Sequence, residues 1–251
     1  MISKNKIKYI RSLELKKNRN KEGKFVAEGF KVVDDLLALQ PADLIVATQE
    51  WLHGKHLADQ TEVIEVTEEE LKKVSFLQHP QQVLGVFKRP QASLEQVNPA
   101  TALVLALDGV QDPGNLGTIV RLADWFGIQD IVCSRDTADL FAPKTVQATM
   151  GALARVRVHY TDLATYLGAQ QAQGIPIYGT FLDGEDLYTK SLRPNGILIM
   201  GNEGNGIRPA CAQWVNERLY IPNYPTGRAT SESLNVAIAT AIVCAEFRRR
   251  G

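Results

Sequence analysis

From residue 102 onward, short unbroken apolar runs alternate with longer amphipathic segments, and that alternation leaves few architectures open. Residues 102–107, 131–133, 175–178 and 197–200 have strand length, whereas 116–126, 145–154, 162–173 and 233–249 have helical length and pattern. A strand that is apolar at every position is buried on both faces, and parallel neighbours need helical crossovers to return the chain. The pattern therefore predicts an α/β domain with a mainly parallel, helix-covered sheet. In such sheets ligands bind beyond the carboxyl ends of the strands. The loops after Leu107, Tyr178 and Met200, all rich in Gly, Asn or Asp, are thus the first candidates for a site.

The first hundred residues follow a different pattern. Residues 6–39 read as helical, interrupted by the polar stretch 16–24, and are followed by β-prone runs at 44–47, 63–66 and 83–87 with helical segments at 50–58 and 68–74 between them. This predicts a small α/β domain. Residues 89–100, with Pro90 and Pro99, carry neither apolar period and mark the boundary, dividing the chain into domains at 1–95 and 100–251.

Charge sharpens the division. Lys plus Arg and Asp plus Glu are equal at 28 each, yet residues 1–31 hold ten basic side chains against three acids, a net of +7. A concentration of this kind in a neutral chain favours a phosphate-binding patch over an ordinary solvated face. No apolar run approaches the roughly 20 residues that span a bilayer, and no signal-peptide pattern opens the chain. Three widely spaced cysteines suggest neither a disulfide framework nor a zinc site. His53 and His56 lack a third ligand, so no metal is expected. These features predict a soluble cytoplasmic protein with no membrane attachment.

Three segments carry chemistry. Asp108-Gly109-Val110-Gln111-Asp112-Pro113-Gly114-Asn115-Leu116-Gly117-Thr118-Ile119-Val120-Arg121 reads as a strand-to-helix loop, with Asn115 as a candidate N-cap and Arg121 near the second turn, rotated away from the apolar face. Gly201-Asn202-Glu203-Gly204-Asn205-Gly206 follows a buried strand, and its glycines permit close backbone approach to a ligand, although its spacing is not that of a dinucleotide or P-loop motif. Tyr220-Ile221-Pro222 leads through a loop at 223–230, containing Arg228, to a final helix that Ser231 or Ser233 could cap. Taken singly, each has an ordinary structural explanation.

In this order and spacing, the three segments resemble the three motifs of SpoU/TrmH RNA methyltransferases. Phe25-Val26-Ala27-Glu28-Gly29, after the basic stretch, resembles part of the small RNA-binding domain that many of those enzymes carry. The resemblance implies a deep trefoil knot in the second domain, a homodimer, and S-adenosylmethionine as cofactor. It also implies 2′-O-methylation of a ribose in structured RNA, with ribosomal RNA ahead of transfer RNA. A non-catalytic RNA-binding or assembly protein on the same fold is the alternative. By position, Thr180, Gly201, Ile221 and Leu234 correspond to the family's cofactor contacts, with Ser233 beside them. Arg121 corresponds to its catalytic arginine, and Asn115, Glu203 and Asn235 to polar residues around ribose and cofactor. Because an arginine stays protonated to above pH 12, roughly, a general-base role for Arg121 stands against a role as charged stabiliser of the 2′-oxygen.

Overall fold

The computed structural model describes residues 1–225 and 233–250. The chain divides into two compact units, one of Met1–Gln91 with Asp139–Ala154 and one of Ala92–Ala138 with Arg155–Gly251.

In the first unit, β1 (Lys24–Glu28), β2 (Leu44–Ala47), β3 (Glu62–Glu65) and β4 (Val83–Lys88) form a sheet in the order β1-β4-β2-β3. Strand β4 runs antiparallel to both β1 and β2, and β3 runs parallel to β2. Two sequence expectations are corrected here. Residues 24–28 form a strand, not part of a helical region: Phe25, Val26, Ala27 and Glu28 are all buried, and a short strand buried on both faces shows no alternation to separate it from helix. Residues 16–22, read as an interruption, form the helix Lys16–Glu22, which ends at Gly23 in the left-handed conformation (φ +65°).

The segment 139–154, although it follows β6 in sequence, packs within this first unit. The Phe141 ring sits 4.9 Å from that of Phe25, and the Arg89 guanidinium lies 4.6 Å from the Phe141 centroid. Arg19 pairs with Asp139 at 2.8 Å and also donates to the carbonyls of Leu13 and Glu14. Arg19 is almost fully buried, so one of the ten basic residues counted toward a phosphate patch is spent on internal packing.

In the second unit, β5 (Leu103–Asp108), β6 (Asp130–Ser134), β7 (Arg157–Thr161), β8 (Ile177–Asp186), β9 (Gly196–Gly201) and β10 (Glu217–Tyr220) form one sheet in the order β10-β8-β9-β5-β6-β7. Every pairing is parallel. The predicted architecture is therefore present, with two strands added that the apolar pattern did not show. Those two, β7 and β10, are the sheet edges, where partly exposed, mostly polar residues replace a continuous apolar run. From β5 the chain runs outward through β6 to β7, then crosses to the other side, so the direction reverses between β5 and β9. That reversal is where the ligand crevice of an open parallel sheet lies.

The helices Pro113–Trp125 and Val236–Arg249 pack side by side. Asn235 bonds Asn115 at one pair of ends and Arg248 donates to the Phe126 carbonyl at the other (2.7 Å), which makes the two helices parallel. The terminal arginines are not a simple solvated helix end. Besides Arg248, Arg250 donates to the backbone carbonyls of Lys190, Leu187 and Tyr188, and Glu246 receives both Arg249 and Arg250. Among the described residues no helix is long and apolar enough to cross a membrane.

Candidate active site

The loop after β5 starts the site. Asp112, not Asn115, caps the helix: its side chain accepts the Asn115 amide at 2.8 Å, and Pro113 occupies the first helical position, where the missing N–H costs nothing. Asn115 is thereby moved into the first turn, and its side chain is released for other contacts. At the last helix the cap is likewise Asn235, which accepts the amides of Ala237 and Ile238 at 3.0 and 3.3 Å. Ser233 is exposed and does not cap this helix, and Ser231 lies outside the described residues, as does Arg228 in the loop at 223–230.

These caps fix a polar chain. The Asn235 carbonyl oxygen must face the helix amides, so its Nδ2 points outward and donates to Asn115 Oδ1 at 3.0 Å. Asn115 Nδ2 in turn donates to Glu203 Oε1 at 2.7 Å. The three polar residues expected around ribose and cofactor, separated by up to 120 positions, thus form one hydrogen-bonded run. Arg121 is not part of it. It is exposed on the helix Pro113–Trp125, with no hydrogen bond or ion pair to another described residue, and Glu203 bonds Asn115 instead of pairing with it.

The expected cofactor residues line the neighbouring strand ends. Strand β10 pairs Arg218 with Gly179 and then Leu219 with Glu185, so residues 180–184 loop out of β8. Thr180 opens that loop, half-buried, with its hydroxyl 4.0 Å from the sulfur of Met200, the residue before Gly201. Gly184 closes it against the β10 backbone: a Cβ there would lie 2.5 Å from the Leu219 carbonyl carbon, one residue short of Tyr220 and two short of Ile221. At Gly201 a Cβ would come within 2.2 Å of the Gly206 carbonyl carbon, because residues 202–206 turn back on themselves through paired bonds between Asn202 and Gly206. Leu234, 47% exposed, directly precedes Asn235. This donor set, half-buried Ile221, exposed Leu234, one hydroxyl and a glycine-rich backbone turn, fits a flat, partly apolar adenosyl group better than a bare phosphate.

Several residues that organise the site had no assigned role in the sequence reading. Asn202 donates to the Gly109 carbonyl at 2.8 Å while its Oδ1 accepts the amides of Gly204 and Asn205. Ser134 accepts the Gly109 amide at 2.9 Å. Arg208 bridges Asp108 and Asp136, which raises the arginine's pKa further, and the hydrogen bonds from Ser134 and Arg208 hold the Asp136 carboxyl below its usual range. Asp108, wholly buried at the end of a buried strand, was the one available signal, since a buried carboxylate requires a partner.

A parallel sheet that gathers glycine- and asparagine-rich loops at its carboxyl edge, with an exposed arginine on the adjoining helix that has no partner among the described residues, defines an α/β ligand-binding domain. Residues 102–245 match the SpoU rRNA Methylase family, and residues 4–85 match the MRM3-like substrate binding domain. The chain belongs to the SpoU rRNA methylase family. It is 34% identical over 247 residues to 23S rRNA (guanosine(2553)-2′-O)-methyltransferase RlmP of Bacillus subtilis (strain 168), covering 97% of this chain and 96% of the relative. A solved TrmH-family structure from Porphyromonas gingivalis is 43% identical and covers both chains completely with a TM-score of 0.91. An AdoMet-bound rRNA methyltransferase from Sinorhizobium meliloti is 33% identical, covering 100% of this chain and 97% of its own, with a TM-score of 0.88. The deep trefoil knot is implied by family membership.

Proposed function

We propose that this chain methylates the 2′-oxygen of a guanosine ribose in 23S ribosomal RNA, using S-adenosylmethionine. The observation that carries the reading is the Glu203–Asn115–Asn235 run, which joins the three motif segments at the carboxyl edge of the sheet. The full-length similarity to the Bacillus subtilis RlmP and the AdoMet-bound Sinorhizobium meliloti relative support the substrate and cofactor.

When bound, S-adenosylmethionine supplies a methyl group on a positively charged sulfur. Thr180, Gly201, Ile221 and Leu234, with Ser233 at the margin, hold it through backbone groups and apolar contact. The remaining tasks are alignment of the 2′-oxygen, whose proton leaves to solvent water as the methyl group arrives and the sulfur departs as a neutral thioether, and stabilisation of the negative charge that grows on it. Asn115, Glu203 and Asn235 orient the ribose, with the two asparagine amides turned by the helix cap and by the Glu203 carboxylate. Arg121 acts as the charged stabiliser, not as a base: its guanidinium is exposed, stays charged and presents a planar fork of donors that suits the 2′-oxygen and a neighbouring phosphate. Residues 1–95 dock the RNA, supported by the match of residues 4–85 and by exposed Lys4, Lys8, Lys16, Lys17, Lys21 and Lys31.

The chain works as a homodimer in the cytoplasm. Trp125, 83% exposed, and Ile238, 55% exposed, offer apolar surface on the two parallel helices, and sedimentation at micromolar concentration tests the pairing. The function itself is tested by transfer of labelled methyl to unmodified 23S and transfer RNA, followed by mapping of alkali-resistant linkages. Label at one resistant linkage in 23S RNA upholds the proposal; label only in transfer RNA transfers the activity to that substrate; cofactor binding without label leaves the non-catalytic RNA-binding alternative.

A further inference from the structure

Asp108 ends the central strand β5 with a wholly buried carboxylate, and both of its oxygens are taken by a single residue one hundred positions away. Arg208 donates its backbone amide to Oδ2 at 2.8 Å, and its Nε and Nη2 to Oδ1 at 2.8 and 2.5 Å. The outer edge of the same guanidinium reaches Asp136, after β6, with Nη1 to Oδ2 at 2.9 Å and Nη2 to Oδ1 at 3.1 Å. One planar cation therefore bridges two carboxylates, an arrangement that suits a guanidinium and that an ammonium cannot reproduce.

The location of this bridge gives it a function. Arg208 immediately follows the turn 201–207, Asp108 begins the first motif loop, and Gly109, with φ +73°, lies beneath the bridge: a Cβ there would stand 3.5 Å from Asp136 and 3.9 Å from Arg208. The Asn202-to-Gly109 bond ties the same two loops a second time. Glu203 and Gly201 thus sit on a turn held at its far end by Arg208 and at its near end by Asn202.

We infer that Arg208 is a positioning residue for the methyl-donor site: by bridging Asp108 and Asp136 it holds the turn 201–207 closed before any ligand arrives, without touching cofactor or RNA. This rests on the functional reading above, in that the turn is the one proposed to hold the cofactor. Preorganisation of this kind is expressed as binding affinity, because a turn that must first close spends part of the ligand's binding energy on closing.

The test uses the full-length chain. Asp136→Asn removes one charged arm at a half-exposed position where folding is not at stake, and Arg208→Lys and Arg208→Met remove the fork and then the charge. Two quantities are read: affinity for S-adenosylhomocysteine by calorimetry, and hydrogen exchange of the Asn202 and Gly206 amides with no ligand present. The expected result is affinity weakened several-fold in Asp136→Asn and about tenfold or more in Arg208→Met, a tenfold loss being about 1.4 kcal/mol. Amide exchange should be faster in the same order and partly restored in Arg208→Lys. At saturating cofactor, turnover should recover more than affinity, whereas a general loss of structure would lower the active fraction and leave the dissociation constant unmoved. Wild-type affinity together with wild-type exchange in Asp136→Asn and Arg208→Lys overturns the inference. A wild-type chain that binds no S-adenosylhomocysteine defeats the functional reading instead, and exchange alone then decides whether the bridge closes the turn.

Discussion

Asn235 performs two jobs with the two ends of one amide, and a single substitution separates them. Its Oδ1 caps the last helix through the amides of Ala237 and Ile238, and its Nδ2 donates to Asn115. Asn235→Asp keeps an oxygen at the cap, and a carboxylate at a helix N-terminus is favoured by about 0.3–1 kcal/mol. The other end becomes an acceptor facing the Asn115 carbonyl oxygen. If the Asn115 amide turns over to meet it, an oxygen then faces Glu203 Oε1, so one bond in the run is lost whichever way the amide lies. A hydrogen bond to a charged group is worth about 1.5–3 kcal/mol, and the fold stability has the cap to offset it, whereas catalysis does not.

The expected outcome for Asn235→Asp is a melting temperature within a few degrees of wild type and a single-turnover methylation rate reduced about tenfold or more, the equivalent of about 1.4 kcal/mol. Asn235→Ala loses both functions, and should be destabilised by about 1–2 kcal/mol as well as slowed. Thermal unfolding by circular dichroism and rapid-quench methyl transfer measure the two effects separately. Methylation by Asn235→Asp within twofold of wild type would refute the role of the hydrogen-bonded run. A large fall in its melting temperature would instead show that the cap had been misjudged.

Other perturbations probe other parts of the molecule. Arg121→Lys should retain S-adenosylhomocysteine affinity while turnover falls about 100-fold, because a point charge does not replace a fork at the 2′-oxygen; near-normal turnover removes Arg121 from the mechanism. Asp139→Ala strands the buried Arg19 guanidinium and should destabilise the first unit by about 3 kcal/mol or more in denaturant titration, an effect absent if the pair were solvent-screened. Glu246 is held down to about 2 by Arg249 and Arg250, below its ordinary 4.5. A depressed carboxylate stabilises the fold above pH 4.5 and loses that contribution as pH falls toward 2. The melting-temperature gap between wild type and Glu246→Gln should therefore be widest near neutrality and shrink between pH 4.5 and 2, and a constant gap would contradict the linkage.

The core of the second unit was legible because its central strands are apolar at every position, and burial on both faces leaves that mark in any sequence. Edge strands carry no such mark: Arg157 and His159 on β7 pair with Asp130, and polar residues that find partners look no different in sequence from residues of a loop. The caps failed for a related reason. Both Asn115 and Ser233 are competent capping residues by type, and what displaced them was local competition, from Asp112 with Pro113 behind it at one helix and from Asn235 at the other. Each displacement gives the site its form. With Asp112 at the cap, Asn115 is free to reach Glu203; with Asn235 at the cap, its amide direction is forced and passes through Asn115 to a carboxylate supplied by a third segment. Residue types in the motifs thus identify which groups take part, but the direction in which each amide points depends on helix ends that meet only after the sheet has folded.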